Sequence, residues 1–206
     1  MIYPPKEDFI MIYFTSDLHL GHEKAIEFTN RPFTDLEDMN NTLIQNINDT
    51  VGKKDELWIL GDFAYKLKRD EVRELRNRIL CKNVHLVRGN HDKDYSKDAI
   101  FSSVQEYKEL KTGYGRFILF HYPILRWNAS HYGSVHRHGH IHSVGTYNEL
   151  NLQTRYSDRY PDYALPDPED LMLRIYDVGV DANGYKPVSI DQIAALMKLE
   201  APLNST

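Results

Sequence analysis

The sequence predicts a layered α/β fold in which helices cover a central β-sheet. Short apolar segments typical of buried strands alternate with segments of helical periodicity in the first half of the chain, and strands dominate the second half. The chain has 206 residues, a length that fits one domain with its own core. We therefore expect a single domain over residues 1–206. Residues 143–170 are rich in Tyr, Asp and Pro and are expected to form a flexible loop or flap.

The strands are predicted from short runs of apolar residues. These runs are FIMIYF, ELWIL, VHLV, RFILF and LMLRIYDVGV, at residues 9–14, 56–60, 84–87, 116–120 and 171–180. Residues 104–120 also predict a β-hairpin that turns at Thr112–Gly115.

The helices are predicted from apolar residues at helical spacing and from capping pairs. Three helices are expected, over residues 35–51, 70–80 and 190–198. Thr34 and Glu37 form a predicted capping box at the start of the first helix, and Ser189 and Gln192 form the corresponding pair at the last.

Composition and charge exclude several classes of protein. The formal net charge is -5, so no basic surface indicates nucleic acid, which is not favoured as a partner. Cys81 is the single cysteine and is predicted to fill the core, so we expect no disulfide and a cytoplasmic location. The N-terminal residues lack the pattern of a signal peptide. No window approaches the roughly 20 apolar residues that span a membrane.

The segment VHRHGHIH, residues 135–142, carries histidine at every second position. Alternation places all four rings on one face if the chain is extended there. That geometry suits a metal ion, but it also fits a solvated edge strand rich in histidine or an accidental chelating patch. A metal site would need further ligands from other parts of the chain.

Residue types that bind metals follow four of the predicted strands. With the histidine-rich segment, the residues delivered are Asp17, His19, Asp62, Asn90, His91, His121, His140 and His142. Because ligands in open α/β sheets bind beyond the carboxyl ends of the strands, we expect these side chains at one edge of the sheet. Imidazole and carboxylate groups suit Mn, Fe, Zn, Co or Ni. Their number suits two ions, and Asp62 is placed to bridge them because a carboxylate has two oxygens.

The ordered motifs DLH, GD, GNHD, H and GHIH resemble the calcineurin-like metallophosphoesterase superfamily, in particular its small bacterial and phage-type members. They span residues 15–142, and VGVDANGYKPVS at 178–189 is similar to the end of such members. The resemblance implies a four-layer α-β-β-α sandwich of two mixed β-sheets flanked by helices. Two departures stand out. Tyr65 stands where many relatives have an acidic or amide residue, and His121 is the single histidine after its strand.

The resemblance also implies a role for each motif residue. One divalent ion would be bound by Asp17, His19, His142 and the bridging Asp62, and a second by Asp62, Asn90, His121 and His140. His91 would bind no metal but would act as an acid or stabilise the transition state. Mn²⁺ is the expected ion, with Fe, Zn, Ni, Co or Mg as alternatives.

Three further residues are candidates for substrate binding. Arg88 could fork onto a phosphate, with a structural ion pair as the alternative. His22 faces either the substrate or the surface. Trp127, with Arg126 and Arg137, could stack on a nucleobase or aryl group, with local packing as the alternative.

The remaining residues near the motifs are predicted to have supporting roles. Asp92 is expected to orient His91 or a loop amide. His138 is expected to be structural or to support a ligand, whereas His136 would contact the substrate or face solvent.

The function implied by the resemblance is the dinuclear metal-dependent hydrolysis of a phosphodiester or phosphomonoester by a metal-activated water. The expected substrate is a small phosphate ester or a nucleotide. A metal-dependent nuclease, a protein phosphatase and a non-catalytic scaffold of the same fold are the alternatives. The sequence leaves the physiological substrate, the native metal and the oligomeric state open.

Overall fold

The computed structural model describes residues 10–153 and 174–199. Its first sheet has five strands, four of them from the amino-terminal half of the chain. Its strands are β1 (Ile12–Thr15), β2 (Glu56–Ile59), β3 (Asn83–Val87), β4 (Ser103–Gln105) and β9 (Val188–Ser189). The order across the sheet is β4-β3-β2-β1-β9. The first four strands are parallel, and β9 runs antiparallel to β1.

A second, four-stranded sheet carries the later motifs. Its strands, in spatial order, are β5 (Tyr107–Thr112), β6 (Gly115–Phe120), β7 (Val135–His138) and β8 (Ile175–Asp177). The pair β5 and β6 is antiparallel, whereas β6, β7 and β8 are parallel to one another. Both sheets are therefore mixed, as the family resemblance implied.

Helices flank the sheets. They are α1 (Lys24–Phe28), α2 (Leu36–Thr50), α3 (Arg69–Asn77), α4 (Tyr147–Gln153) and α5 (Ile190–Leu196). Within the described ranges, no helix combines the length and apolar character needed to cross a membrane.

The period-two alternation of the strands generates two cores. On one face of β2, Leu57 and Ile59 pack with apolar residues of α2 and α3. On the other face, Trp58 and Leu60 pack with Phe117 of β6, which lies in the second sheet. The first sheet is thus buried on both faces, between helices and the second sheet, and the predicted α/β sandwich is confirmed.

The capping pair predicted for the first long helix is wrong. The N-cap of α2 is Asp35, whose side chain accepts from the Asp38 amide at 2.8 Å. The Asp38 carboxylate in turn accepts from the amide of Thr34. The helix begins at Leu36, so Asp38 rather than Glu37 lies at the third helical position. The predicted pair of Ser189 and Gln192 is confirmed as a reciprocal capping box at α5.

Two predicted segments differ from the structure in extent. The hairpin turns at Thr112–Gly115 as expected, but Ser103–Gln105 joins the first sheet as β4. Within the expected loop at residues 143–170, Tyr147–Gln153 form helix α4. Residues 154–170 of that expected loop lie outside the described part of the chain. The Asn148 side chain anchors α4 by bonding the backbone nitrogen and oxygen of Asp177, at 2.8 and 2.9 Å.

Candidate metal centre

The predicted ligands lie together where the chain leaves the carboxyl ends of the strands. The amide of Asp17 donates to the carbonyl of Gly61 at 3.0 Å, and the amide of His19 donates to the carbonyl of Asp62 at 2.9 Å. These bonds hold the loops after β1 and β2 side by side. Seven of the predicted residues form overlapping groups of three, and within each group the candidate ligand atoms lie within 4.8 Å of one another. The groups are Asp17, His19 and His142; His19, Asp62 and His91; and Asp62, His121 and His140.

Many of these residues have a left-handed backbone. The φ angles are 57°, 51°, 55°, 74° and 47° at Asp17, His19, Asp62, His140 and His142. Each such conformation at a non-glycine residue costs on the order of 1–3 kcal/mol, and their clustering is typical of functional sites. The prediction that four histidines share one face of an extended segment is therefore wrong. The strand ends at His138, and the chain turns sharply at His140 and His142.

Two glycines allow the chain to pass close to the ligands. Gly61 has φ 96°, and a Cβ there would lie 2.2 Å from the His121 ring nitrogen. A Cβ on Gly139 would lie 2.4 Å from the Asp17 carboxylate. Side chains at these positions would displace the candidate ligands, so the site requires glycine there.

Asp62 lies at the middle of the site. Its Oδ2 atom is 3.6 Å from His19 Nε2 and 3.5 Å from His121 Nε2. Two ligand atoms that each lie about 2.0–2.2 Å from one ion are separated by about 3–3.5 Å. Asp62 Oδ2 therefore lies at suitable distances to share one ion with His19 and another with His121. We call Asp17, His19 and His142 the His142 half of the site, and Asn90, His121 and His140 the His121 half.

The His142 half brings together two imidazoles and a buried carboxylate. His19 Nε2 lies 3.2 Å from His142 Nε2, and His142 Nε2 lies 3.9 Å from an oxygen of Asp17. The carboxylate of Asp17 also accepts from the Ser16 hydroxyl and from the His140 amide. Burial raises the pKa of Asp17 to about 7, against the opposing effects of His142 and Ser16. This carboxylate thus lies where a positive charge would stabilise it strongly.

The His121 half contains one buried and two more accessible side chains. His121 is fully buried, and its Nε2 lies 3.0 Å from Asn90 Oδ1. The His140 ring meets that of His121 edge-on, with centroids 5.0 Å apart. The amide oxygen and the two imidazoles thus reach the region beside Asp62 from three different loops.

The second nitrogen of three rings has a partner that is not a candidate ligand. His121 Nδ1 lies 2.8 Å from the Leu60 carbonyl, and His142 Nδ1 lies 2.7 Å from Asp181 Oδ2. His19 Nδ1 lies 3.4 Å from the ring of His22. An imidazole whose Nδ1–H donates to such a group presents the Nε2 lone pair on its other side, as a metal ligand must.

Burial also favours the neutral form of several rings. It lowers the pKa of His19 to about 2 and lowers the pKa of His121 and His140. His142 differs, because its hydrogen bond to Asp181 and the nearby carboxylates outweigh the effect of burial and raise its pKa. Neutral imidazole is the form that coordinates a metal.

His91 and Asp92 occupy different positions beside Asp62. The His91 ring is exposed, and its backbone amide donates to Asp62 Oδ1 at 2.9 Å. The side chain of Asp92 is buried and accepts from the amides of Asp62, Phe63 and Gly89 at 2.8–3.0 Å. Of the two alternatives for Asp92, the structure supports the bracing of loop amides.

His22 is adjacent to the site and stacks on a neighbour. Its ring lies 3.7 Å from that of Tyr65, with an interplanar angle of 18°. Tyr65 in turn meets His91 edge-on at 5.0 Å. The residue that departs from the family pattern, Tyr65, thus lies next to both histidines.

The other two histidines of the alternating segment are buried. His136 Nδ1 lies 3.2 Å from the Ile118 carbonyl, and its Nε2 accepts from the Ile124 amide at 3.3 Å. Its expected contact with substrate or solvent is therefore wrong. His138 Nδ1 lies 2.8 Å from the Gly139 carbonyl, which agrees with a structural role.

Three other residues that the sequence suggested for substrate binding have protein partners in the structure. Trp127 is 9% exposed, packs with Ile118, and donates its indole N–H to the Ser134 carbonyl at 3.2 Å. Arg137 is fully buried under aromatic rings, so neither side chain can clamp a ligand. Arg88 pairs with Glu106 at 2.6 Å, which is the alternative that the sequence left open.

The sequence analysis assigned no role to two residues that contact the site. Asp181 holds the ring of His142, and Arg31 holds Asp181. Asp181 lies shortly after β8, so the rule that functional residues follow strands could have indicated it. Arg31 follows α1 by three positions and belongs to no motif, and no pattern in the sequence singled it out.

Comparison with known proteins identifies the family. The model of the calcineurin-like phosphoesterase family matches residues 10–188. The chain belongs to this family. The resemblance carried by the five motifs is thereby confirmed, and the general chemistry of the family is the hydrolysis of phosphate esters.

Individual relatives extend the match to most of the chain. An uncharacterized protein of Methanocaldococcus jannaschii is 36% identical over 188 residues, which cover 91% of this chain and 91% of that protein. The gene 66 protein of Mycobacterium phage L5 is 28% identical over 167 residues, covering 64% of this chain and 77% of that protein. A crystal structure of a protein of unknown function from Aquifex aeolicus has a TM-score of 0.66 and 25% identity, covering 91% and 100% of the two chains.

Proposed function

We propose that this phosphoesterase hydrolyses a small phosphate ester or nucleotide with two divalent metal ions bound on either side of Asp62. The observation that carries the proposal is the position of Asp62 Oδ2, 3.6 Å from His19 Nε2 and 3.5 Å from His121 Nε2. A carboxylate between two imidazoles, with further N and O donors beyond each, is a donor set for two cations rather than one.

The residues present fit such ions. The proposed ligands of one ion are the His142 half and Asp62, and those of the other are the His121 half and Asp62. These imidazole, carboxylate and amide donors suit Mn²⁺, with Fe, Zn, Ni, Co and Mg as alternatives. When bound, two such ions polarise the phosphate oxygens, offset their negative charge and generate the nucleophilic water.

His91 is the proposed catalytic side chain of the protein itself. Its ring is exposed beside the site, and its centroid lies 5.3 Å from that of His19. The bond from its amide to Asp62 fixes the backbone, so the ring is free to face a bound ester. We assign it the transfer of a proton to the leaving oxygen, or the stabilisation of charge on that oxygen.

The substrate assignment rests on access and charge. Asn90, His91 and Ile141 are exposed next to the site, and the net charge of the chain is -5. We infer that a small ester would bind with its phosphate against the ions held by the two halves of the site and with its leaving group toward His91. Nucleic acid is a less favoured substrate, because its binding depends on a basic surface.

The test is hydrolysis by protein that has been stripped with a chelator and reloaded with Mn²⁺. Bis-p-nitrophenyl phosphate and p-nitrophenyl phosphate are compared side by side, and Asp62→Asn serves as the control for contaminating hydrolases. We expect activity to disappear on stripping, to return with Mn²⁺ and to be absent from the variant. Preference for the diester identifies a phosphodiesterase, and preference for the monoester a phosphatase. Two bound ions without turnover of either substrate would contradict the proposal.

A further inference from the structure

A buried ion pair lies behind the His142 half of the site. Arg31 Nε and Nη2 each lie 2.9 Å from a different oxygen of Asp181, so the guanidinium and the carboxylate form a two-pronged pair. Their side chains are 0% and 1% exposed. This pair is far more enclosed than Arg73 with Asp70, whose side chains are 41% and 91% exposed.

The buried pair contacts the site at two points. Asp181 Oδ2 lies 2.7 Å from His142 Nδ1. On the other side, Arg31 donates to the carbonyl of Asp17 at 2.7 Å and to that of Leu18 at 3.1 Å. The pair therefore joins the loop after β1, which carries Asp17 and His19, to the loop that carries His142.

The turn that carries Asp181 is itself held against β1. The amide of Val180 donates to the carbonyl of Ser16 at 3.1 Å. Asp177 accepts from the amide of Gly179 at 2.7 Å, and the side chain of Asn183 donates to the carbonyls of both residues. These bonds leave Asp181 little freedom to move away from His142.

We propose that Arg31 and Asp181 are positioning residues that hold His142 and the Asp17 loop in the geometry needed to bind one of the two metal ions. The inference rests on the proposed function, because it assigns these residues to one half of that site. Asp181 fixes the orientation and the Nδ1–H tautomer of His142, so that Nε2 presents its lone pair to the ion. Arg31 holds Asp181 and, through the Asp17 carbonyl, fixes the distance between the two loops.

The contacts predict an effect on one ion only. Among the described residues, the polar contacts of Arg31 and Asp181 do not reach the His121 half, whose His121 ring is oriented by the Leu60 carbonyl. Loss of the pair should therefore weaken the ion at the His142 half and leave the other ion in place.

The experiment measures the two Mn²⁺-binding steps of stripped protein by calorimetric titration. His142→Ala and His121→Ala assign each step to its half of the site. Asp181→Asn is expected to weaken the step that His142→Ala removes by about 10–100-fold and to leave the other step unchanged. Asp70→Asn makes the same chemical change in an exposed pair with arginine, and both steps should match those of the unaltered protein.

Several results would overturn the inference. Two unchanged steps in folded Asp181→Asn protein would exclude the positioning role, as would equal weakening of both steps. If this variant does not fold, Arg31→Lys decides, because it keeps the charge but loses the two-pronged geometry. It should weaken the same single step. Failure of the unaltered protein to bind two ions would instead contradict the proposed function, so the two failures are distinguishable.

A measurement on the unaltered protein provides a second check. In Zn²⁺-loaded protein labelled with ¹⁵N, the ring of His142 should carry its proton on Nδ1, in a strong hydrogen bond to Asp181. A ring proton on Nε2 would exclude the proposed role of Asp181, whatever the behaviour of the variants.

Discussion

The two halves of the candidate site are held in different ways. In the His121 half, the ring of His121 is oriented by a backbone carbonyl, and the loops that carry Asp62 and Asn90 are braced through their amides by Asp92. In the His142 half, orientation depends on the Asp181 side chain, which is held in turn by Arg31. One half is thus held mainly by the backbone at strand ends, and the other by a chain of side chains.

The difference is between a ring oriented by a backbone group of a sheet and a ring oriented by a single side chain. The Leu60 carbonyl lies at the end of β2 and keeps its position as long as the first sheet is folded. Asp181 comes 39 residues after His142, and the contact forms only when the segment after β8 has docked on β1. We therefore expect single substitutions that disable one half alone to act mainly on the His142 half.

Among residues outside the proposed ligand set, the largest effect is expected for His91. His91→Ala should lower the rate of ester hydrolysis by about 10²–10⁴-fold, because it removes the proposed proton donor. The alanine keeps the backbone amide that donates to Asp62, so both Mn²⁺-binding steps should be unchanged. The measurement combines steady-state kinetics with metal titration. Loss of a binding step would show instead that His91 is a ligand, which its grouping with His19 and Asp62 allows.

The next prediction concerns the backbone brace. Asp92→Asn replaces one of two accepting oxygens with a donor, so at least one amide among those of Asp62, Phe63 and Gly89 loses its partner. We expect a loss of about 1–3 kcal/mol in the free energy of unfolding, measured in urea.

Asp92→Asn should also weaken both Mn²⁺-binding steps, because Asp62 is the proposed ligand of both ions. That result would contrast with the single step affected by Asp181→Asn. Asp94→Asn alters an exposed carboxylate in the same loop and is the matched control. An effect of Asp92→Asn on one step alone would contradict this account of the brace.

The pH dependence of stability should also distinguish the two halves. Burial alone would raise the pKa of Asp181, but hydrogen bonds from His142 and Arg31 lower it from 3.8 to about 2. A carboxyl group with a lowered pKa contributes stability that is present above pH 3.8 and is lost as the pH falls through 2. In stripped protein, the stability difference between the unaltered chain and Asp181→Asn should therefore shrink by roughly 2 kcal/mol between pH 5 and pH 2. Urea unfolding at a series of pH values measures this difference, and a constant difference would exclude the linkage.

Much of the candidate site could be predicted because its candidate ligands follow strands. Apolar runs place Asp17, Asp62 and His121 directly after β1, β2 and β6, and parallel strands bring such residues to one edge of a sheet. Alternation also accounts for the two cores. These features depend on local patterns that a single sequence carries.

The remainder depends on contacts between distant residues. Arg31 and Asp181 are separated by 150 positions, and neither lies in a ligand motif. The sharp turn at His140 was missed because alternation alone indicates an extended chain, whereas the left-handed backbone there is stabilised by bonds from the His140 amide to Asp17. Trp127 was misread because its aromatic ring was considered without the sheet face that buries it.

The smallest effect is expected for the exposed counterpart of the buried pair. Arg88 and Glu106 lie 2.6 Å apart next to the loop of the His121 half, but their side chains are 29% and 67% exposed. Because water screens such a pair, Glu106→Gln should change the free energy of unfolding by no more than about 1 kcal/mol. Both Mn²⁺-binding steps and the KM for either ester should stay unchanged, since that half is held by backbone contacts. A weakened step at the His121 half would show that this half also depends on an arginine–carboxylate pair, and the proposed contrast between the halves would then be wrong.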